Sequence, residues 1–223
     1  MANNETGVVF PIEEIAAICR IKGVPFHTDA VQTPSKMELD VKALGVDYLS
    51  LSAHKLHAPK GIGCLYVRQG LPYQSYIVGG GQESGRRGGT ENVAYMVAFG
   101  KAAEMATASL GVEVERIRAL RNRMEDGILE AIPGVTRNGA KEPRPASTSN
   151  LSFADCEAEA ILLLLNREGI CASSGSACTT GSMAPSHVLI AMGLSPEHAM
   201  GAVRFSLSKY TTDAEVDYLL EKL

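Results

Sequence analysis

From Pro11 to Val67 the chain alternates helical and extended patterns at a spacing that leaves few folds open. "PIEEIAAICRIKG" has proline in its first turn, acids early, basic residues late and Gly23 as a stop, which together predict a helix. "VPFHTDA" follows as a strand running to Asp29, then a short helical piece near "VKALG", then the strands "YLSLSA" and "GIGCLYV". Helix, strand, helix, strand in this order predicts an α/β fold with a mainly parallel sheet. In such sheets ligands gather where strands end, which is where Asp29 and Lys55 fall.

Beyond the strands, "GGGQESGRRGGT" (Gly79–Thr90) is a glycine-rich loop with two arginines. "ENVAYMVAFGKAAEMATAS" and "VEVERIRALRNRMEDGILEAI" then predict one or two long amphipathic helices bridging two domains. After Pro133 the pattern becomes a smaller α+β arrangement. Its pieces are strand "TSNLSFA", helix "EAEAILLLLNREG", strand "ICASSG", helix "SHVLIAMG", strand "AVRFSLS" and a closing helix from Thr212. The expected division is residues 1–110 and 111–223. The chain opens on the turn-like "MANNETG", with no strand before it, so the expected sheet is small and an upstream portion is expected to be missing.

Composition excludes several classes. A formal net charge of -4 without a basic cluster gives no footprint for nucleic acid. No apolar run approaches the roughly 20 residues that span a bilayer, "ILLLLN" being far too short, and the N-terminus lacks a secretory signal pattern. The five cysteines are odd in number, widely spaced and without CxxC pairs, which argues against a disulfide framework and against a zinc site. Free thiols point to a reducing compartment, the cytoplasm. No metal is expected.

Three places carry reactive side chains. In "LSLSAHKLHAPKG" a strand delivers Ser52, His54 and Lys55 before Pro59 and Gly61 break the chain. An isolated lysine is usually a surface residue, but an amine at the end of an apolar strand can be desolvated and freed for Schiff-base chemistry. Ser52 and His54 supply a hydroxyl and a ring N–H suited to phosphate, and Asp29, otherwise a turn cap, ends the neighbouring strand. A carboxylate there can keep a pyridine nitrogen protonated. This is the layout of a site for pyridoxal 5′-phosphate (PLP).

Cys178 lies in "ASSGSACTTGS", whose glycines and small hydroxyl residues predict an accessible loop where an idle thiol is a liability. Cys19, Cys64, Cys156 and Cys171 adjoin apolar or strand-like runs and are expected to be buried small hydrophobes. Arg204 alternates with apolar residues in "GAVRFSLS". It is equally readable as a solvent-facing strand residue or as a two-pronged donor for a substrate carboxylate.

Taken in order, "ANNETG", "HTDAVQ", "SLSAHKLHAPKGIGCLYVR", "GRRGGTEN", "SSGSACTTGS" and "VRFSLSKYTT" resemble the NifS/IscS group of cysteine desulfurases, over essentially the whole chain. The long "SSGSAC" loop sets that group apart from short-loop desulfurases and selenocysteine lyases, while "LSAHKLHAPKG" with "EAILLLLN" leans toward the nitrogen-fixation (NifS) branch. The resemblance implies a PLP-dependent transferase of fold type I. Residues 1–110 correspond to the later part of the cofactor domain with the start of the inter-domain helix, and residues 111–223 to the small C-terminal domain.

Position by position, the resemblance implies that Lys55 bonds the PLP aldehyde and Asp29 pairs with the pyridine nitrogen. Gln32 and Asn4 serve the region of the ring's phenolic oxygen, and Ser52 and His54 hold the phosphate. Thr90 reaches the phosphate of the other subunit's cofactor in a homodimer, Arg204 binds the carboxylate of L-cysteine, and Cys178 becomes a persulfide. No role follows for His57 or Lys60. The implied products are L-alanine and sulfur delivered to an iron–sulfur scaffold or another acceptor protein. What departs from the family is the lack of the stretch before "ANNETG", with its phosphate-binding turn and ring-stacking histidine. The alternatives are another fold type I PLP enzyme, an aminotransferase or lyase, and an inactive piece that serves only in dimerisation or docking.

Overall fold

The computed structural model describes residues 1–175 and 184–223. The chain divides into two compact units, one of Met1 with Phe10–Leu110 and the other of Ala2–Val9 with Gly111–Leu223.

In the first unit, α1 (Ile12–Ile21) buries Ile12 and Ala16 and begins directly after Pro11. Next come β1 (His27–Asp29), α2 (Val41–Leu44), β2 (Tyr48–Ser52) and β3 (Gly63–Val67). The Asp40 carboxylate caps α2 by accepting from the N–H groups of Lys42 and Ala43. The sheet order is β1-β2-β3. β1 and β2 run parallel with Asp29 opposite Ser50, whereas β3 runs antiparallel to β2 with Ser52 opposite Gly63. The connection through residues 53–62 is too short for a crossover, so it returns the chain antiparallel. Gly63 is required where it stands, because a Cβ there would lie 2.8 Å from the Leu51 carbonyl oxygen. Ile12, Ala30, Leu44, Val46 and Leu49 form the buried core beneath the strands.

Within the glycine-rich loop the turn α3 (Gln82–Gly85) holds Glu83, Ser84 and Gly85 at positive φ. The two helical stretches that follow are one helix, α4 (Val93–Ala131), and its buried residues all lie from Ile117 onward. Ile117, Leu120, Met124 and Ile128 repeat at helical spacing and join the second unit's core.

The second unit holds β4 (Val135–Arg137), β5 (Thr148–Phe153), α5 (Ala158–Arg167), β6 (Ser173–Ser174), α6 (His187–Ala191), α7 (Pro196–Met200), β7 (Ala202–Ser206) and α8 (Asp213–Lys222). Its sheet runs β4-β5-β7-β6 with every described pairing antiparallel. One side of β5 packs Leu151 and Phe153 into the core. The alternate residues Asn150 and Ser152 are also buried but polar. Asn138 Nδ2 satisfies them, donating to Asn150 Oδ1 at 2.7 Å and Ser152 Oγ at 2.8 Å, and Asn150 Nδ2 donates to the Glu5 carbonyl at 3.2 Å. Thus the N-terminal turn packs on a hydrogen-bonded surface 145 residues away. The turn itself is fixed by Asn3 Oδ1, which accepts from the N–H groups of Glu5 and Thr6.

The expected burial of the cysteines is overturned. Cys64, Cys156 and Cys171 are exposed and Cys19 is half-buried. Cys156 and Cys171 lie between elements, where an adjoining apolar run does not dictate which way a side chain points. Cys64 lies in β3, an edge strand in this sheet. Among the described residues, no helix is long and apolar enough to cross a membrane.

Candidate active site

The 3-10 turn Ala53–Leu56 starts at the last residue of β2. Ala53 and Leu56 are buried and anchor it, which leaves His54 exposed and Lys55 half-buried at the strand end. His57 closes the turn in the left-handed region at φ 64. Lys55 makes no hydrogen bond or ion pair with another described residue, so its amine is uncommitted. The Ser52 hydroxyl and His54 Nδ1 are 3.0 Å apart, a contact that orients the ring.

Asp29 ends β1, exposed, with Oδ1 accepting from the Val31 N–H at 2.9 Å. Its other oxygen accepts no hydrogen bond among the described residues. Because strand side chains alternate, His27 and Asp29 share one face with Ser50 and Ser52. His27 Nε2 lies 2.8 Å from Ser50 Oγ on that face. The opposite face carries Thr28 and Leu49, both buried. Gln32 is half-buried in the turn just after Asp29.

Thr90 lies elsewhere in this unit, in the wall of a cavity of about 670 Å³ with Arg86, Arg87, Cys64, Tyr73 and Phe99. None of the other candidate residues lines it. Burial pushes the Cys64 thiol's pKa up, and the nearby Glu83 carboxylate adds to the effect.

In the second unit Arg204 is half-buried in β7, between Asn150 of β5 and Ser173 of β6. Its Nη1 donates to the Asn4 carbonyl at 2.8 Å, so two residues named from separate motifs are neighbours. Cys178 lies outside the described residues. Two residues that the sequence did not single out stand beside this group: Glu5, buried, and Ser186, whose hydroxyl donates to Glu5 Oε2 at 2.5 Å. Their signal was faint, a single acid inside a turn motif and a serine that reads as an ordinary helix cap.

The donor set of the first unit fits an aromatic aldehyde that carries a phosphate. It offers an uncommitted primary amine for the aldehyde, a carboxylate with a free oxygen for a protonated ring nitrogen, and a hydroxyl and imidazole for phosphate.

The family described as "Aminotransferase class-V" matches residues 1–219. The chain is 56% identical over 220 residues to "Cysteine desulfurase 2" of Trichormus variabilis, covering 99% of this chain and 55% of that protein. It is 50% identical over 222 residues to "Cysteine desulfurase NifS" of Azotobacter vinelandii, covering 100% and 55%. Among solved structures it resembles a NifS-like protein from Rickettsia africae with a TM-score of 0.91 at 32% identity, covering 100% of this chain and 59% of that one. It also resembles SspA in complex with cysteine, with a TM-score of 0.76 at 36% identity, covering 95% and 58%. The chain thus spans about half the length of the curated relatives it matches.

Proposed function

Since the chain belongs to the class-V aminotransferase family, whose members use PLP, we propose that it is the sulfur-transferring part of a cysteine desulfurase. The observation that carries this reading is the meeting of Asp29, Ser52, His54 and Lys55 at one end of the parallel pair β1 and β2. When bound, PLP supplies an aldehyde and an electron-withdrawing ring that accepts charge from the substrate's Cα.

The chain's own residues divide the remaining work. Lys55 would hold the aldehyde through its amine, and the same amine, when free, would take the proton from Cα of L-cysteine. Asp29 keeps the ring nitrogen protonated. Ser52 and His54 bind the phosphate, Gln32 serves the region of the ring's phenolic oxygen, and Thr90 reaches the phosphate of the other subunit's cofactor. In the second unit Asn4 belongs to the same ligand set and Arg204 holds the substrate carboxylate. The Cys178 thiolate attacks the substrate sulfur. A sulfur–sulfur bond forms as Cβ–S breaks, the electron pair stays with the substrate carbon, and protonation releases L-alanine. The persulfide passes to an acceptor protein that builds iron–sulfur clusters, with nitrogenase assembly as the branch favoured by the sequence. The working enzyme is a cytoplasmic homodimer in which residues 1–110 belong to the cofactor domain and 111–223 form the small domain.

The decisive experiment is borohydride reduction of the PLP-loaded longer parent followed by peptide mass mapping. The expected result is a reduced adduct on the Lys55 peptide. An adduct on another lysine, or on none, rejects the assignment.

A further inference from the structure

Two side chains on the site face of β1 and β2 have no part in the roles above. His27 and Asp29 stand two apart on β1, and Ser50 and Ser52 two apart on β2, all on one face. Asp29 is the register partner of Ser50, so that hydroxyl lies across from the carboxylate and one step back along the strand from Ser52. His27 is the register partner of Tyr48, yet its Nε2 reaches Ser50 Oγ at 2.8 Å. The ring therefore leans along the sheet toward the strand ends. Among the described residues, it is the one hydrogen-bond contact of the Ser50 side chain.

Where the hydrogen of that contact lies decides what Asp29 has left to offer. Asp29 Oδ1 is taken by the Val31 N–H at 2.9 Å, and the second oxygen accepts no hydrogen bond among the described residues. A serine hydroxyl is a single donor that rotates to suit its surroundings. Strands about 4.8 Å apart bring opposite side chains of one face within reach of each other. An unheld Ser50 hydroxyl would therefore turn to the open carboxylate oxygen, and charge-assisted bonds of that kind are the strong ones. A carboxylate that already accepts such a bond is a poorer partner for a protonated ring nitrogen. A neutral imidazole has one acceptor nitrogen, and with Nε2 in that role the Ser50 hydrogen is engaged by the ring.

We propose, on the reading of Asp29 as the ring nitrogen's partner, that His27 is a positioning residue for the cofactor. Through Nε2 it accepts the Ser50 hydroxyl hydrogen and so keeps the second Asp29 oxygen open for PLP. Ser50 has no direct part in binding; its hydroxyl is a competitor held in check. Loss of His27 is accordingly harmful only while Ser50 keeps its hydroxyl.

The test measures PLP affinity of the longer parent by absorbance titration at pH about 8, above the range in which a free imidazole charges. His27→Phe and His27→Ala should each raise Kd about fivefold or more, the released hydroxyl having become a charge-assisted donor to Asp29. Ser50→Ala should bind PLP as the parent does. His27→Phe combined with Ser50→Ala should return to the parent Kd, a rescue that lost packing or a disturbed strand would not give. In this chain without cofactor, long-range proton–nitrogen NMR should find the His27 hydrogen on Nδ1 and Nε2 bare. An unchanged Kd in both single His27 variants overturns the proposal. So does a double variant that binds as weakly as His27→Phe, which marks a structural role, or a hydrogen found on Nε2. Asp29→Asn separates the two levels of the reading. An unchanged Kd there rejects Asp29 as the ring's partner and the role of His27 with it, whereas a raised Kd there beside unaltered His27 variants rejects the role of His27 alone.

Discussion

Arg204 donates through Nη1 to the main-chain oxygen of Asn4 at 2.8 Å, a bond between residues 200 apart in the chain. It engages one nitrogen of the guanidinium and helps to set the plane of the fork, which the proposed function assigns to the carboxylate of L-cysteine. Arg204→Lys keeps the charge but not two parallel donors. In the PLP-loaded longer parent this substitution should raise KM for L-cysteine about tenfold to a hundredfold, matching the roughly 1.5–3 kcal/mol of a hydrogen bond to a charged group. Cofactor absorbance should be unchanged. Steady-state kinetics on the purified variant decides the point, and an unaltered KM would remove Arg204 from the substrate's carboxylate.

Cys64 offers a contrast between exposure and reactivity. The residue reaches solvent, yet burial of its thiol in the cavity wall, together with the Glu83 carboxylate, raises its pKa. Less thiolate is present near neutral pH, so Cys64 should alkylate more slowly at pH about 8 than a small free thiol such as N-acetylcysteine with an ordinary cysteine pKa. Its rate should climb at higher pH than that of the free thiol. Glu83→Gln should move the Cys64 profile back toward lower pH, which a pH series of alkylation rates would reveal.

Asp47 joins the entry ends of β1 and β2. Burial alone would raise its pKa, but the Phe26 N–H, the Arg68 guanidinium and the more distant charge of Arg20 together outweigh that and hold the carboxyl below its usual range. The bonds are 2.9 Å from Phe26 N and 2.8 Å from Arg68 Nε. A carboxyl with a depressed folded-state pKa stabilises the fold above its unfolded value, about 3.9. That contribution disappears as pH falls through the lower folded value. The first unit should therefore lose stability below about pH 4. Asp47→Asn should cost roughly 1–3 kcal/mol at pH 7, toward the lower figure because the Arg68 side chain is 51% exposed and screened. The difference between variant and parent should shrink at pH about 3. Urea unfolding at the two pH values measures both effects.

The parts of this protein that could be read from sequence are those whose cause is local. The first unit's strands announce themselves by β-branched and aromatic residues between glycine and proline, and a strand end is the place for Lys55 whether or not its neighbours are known. The helix α4 was legible as helical but not as unbroken, since Gly111 falls between its two stretches and a glycine can either end a helix or sit within one. β4, three residues long, has too little pattern to signal, and α7 is a single turn despite its Ser195 cap and Pro196. The cysteines were misjudged because an apolar neighbour in sequence says little where the chain leaves an element. Glu5 and Ser186 were invisible for a deeper reason. Their contact spans 181 residues and depends on which surface of β5 the N-terminal turn covers, which only the folded sheet determines.

That same sheet carries a polar cluster whose removal should be felt more than any surface change. Glu125, 1% exposed on α4, accepts from Arg144 Nη2 at 2.6 Å and from Arg137 Nε. Arg121, fully buried one turn earlier, pairs with Glu142 and donates to the Pro145 carbonyl at 3.3 Å. Arg144 Nε and Nη1 are buried with no hydrogen-bond partner among the described residues, so Glu125 is the carboxylate that compensates that guanidinium. Taking the negative charge away leaves a buried cation uncompensated, whereas replacing both partners removes the problem with the pair. Glu125→Gln should accordingly destabilise the second unit by about 3–5 kcal/mol. The double variant Glu125→Leu with Arg144→Met should recover a large part of that loss, although Arg137 also loses its partner. Thermal and urea unfolding of the double variant beside the single variants Glu125→Leu and Arg144→Met and the parent chain measures the coupling directly. Additive losses would mean that the cluster is solvated and that these side chains act independently.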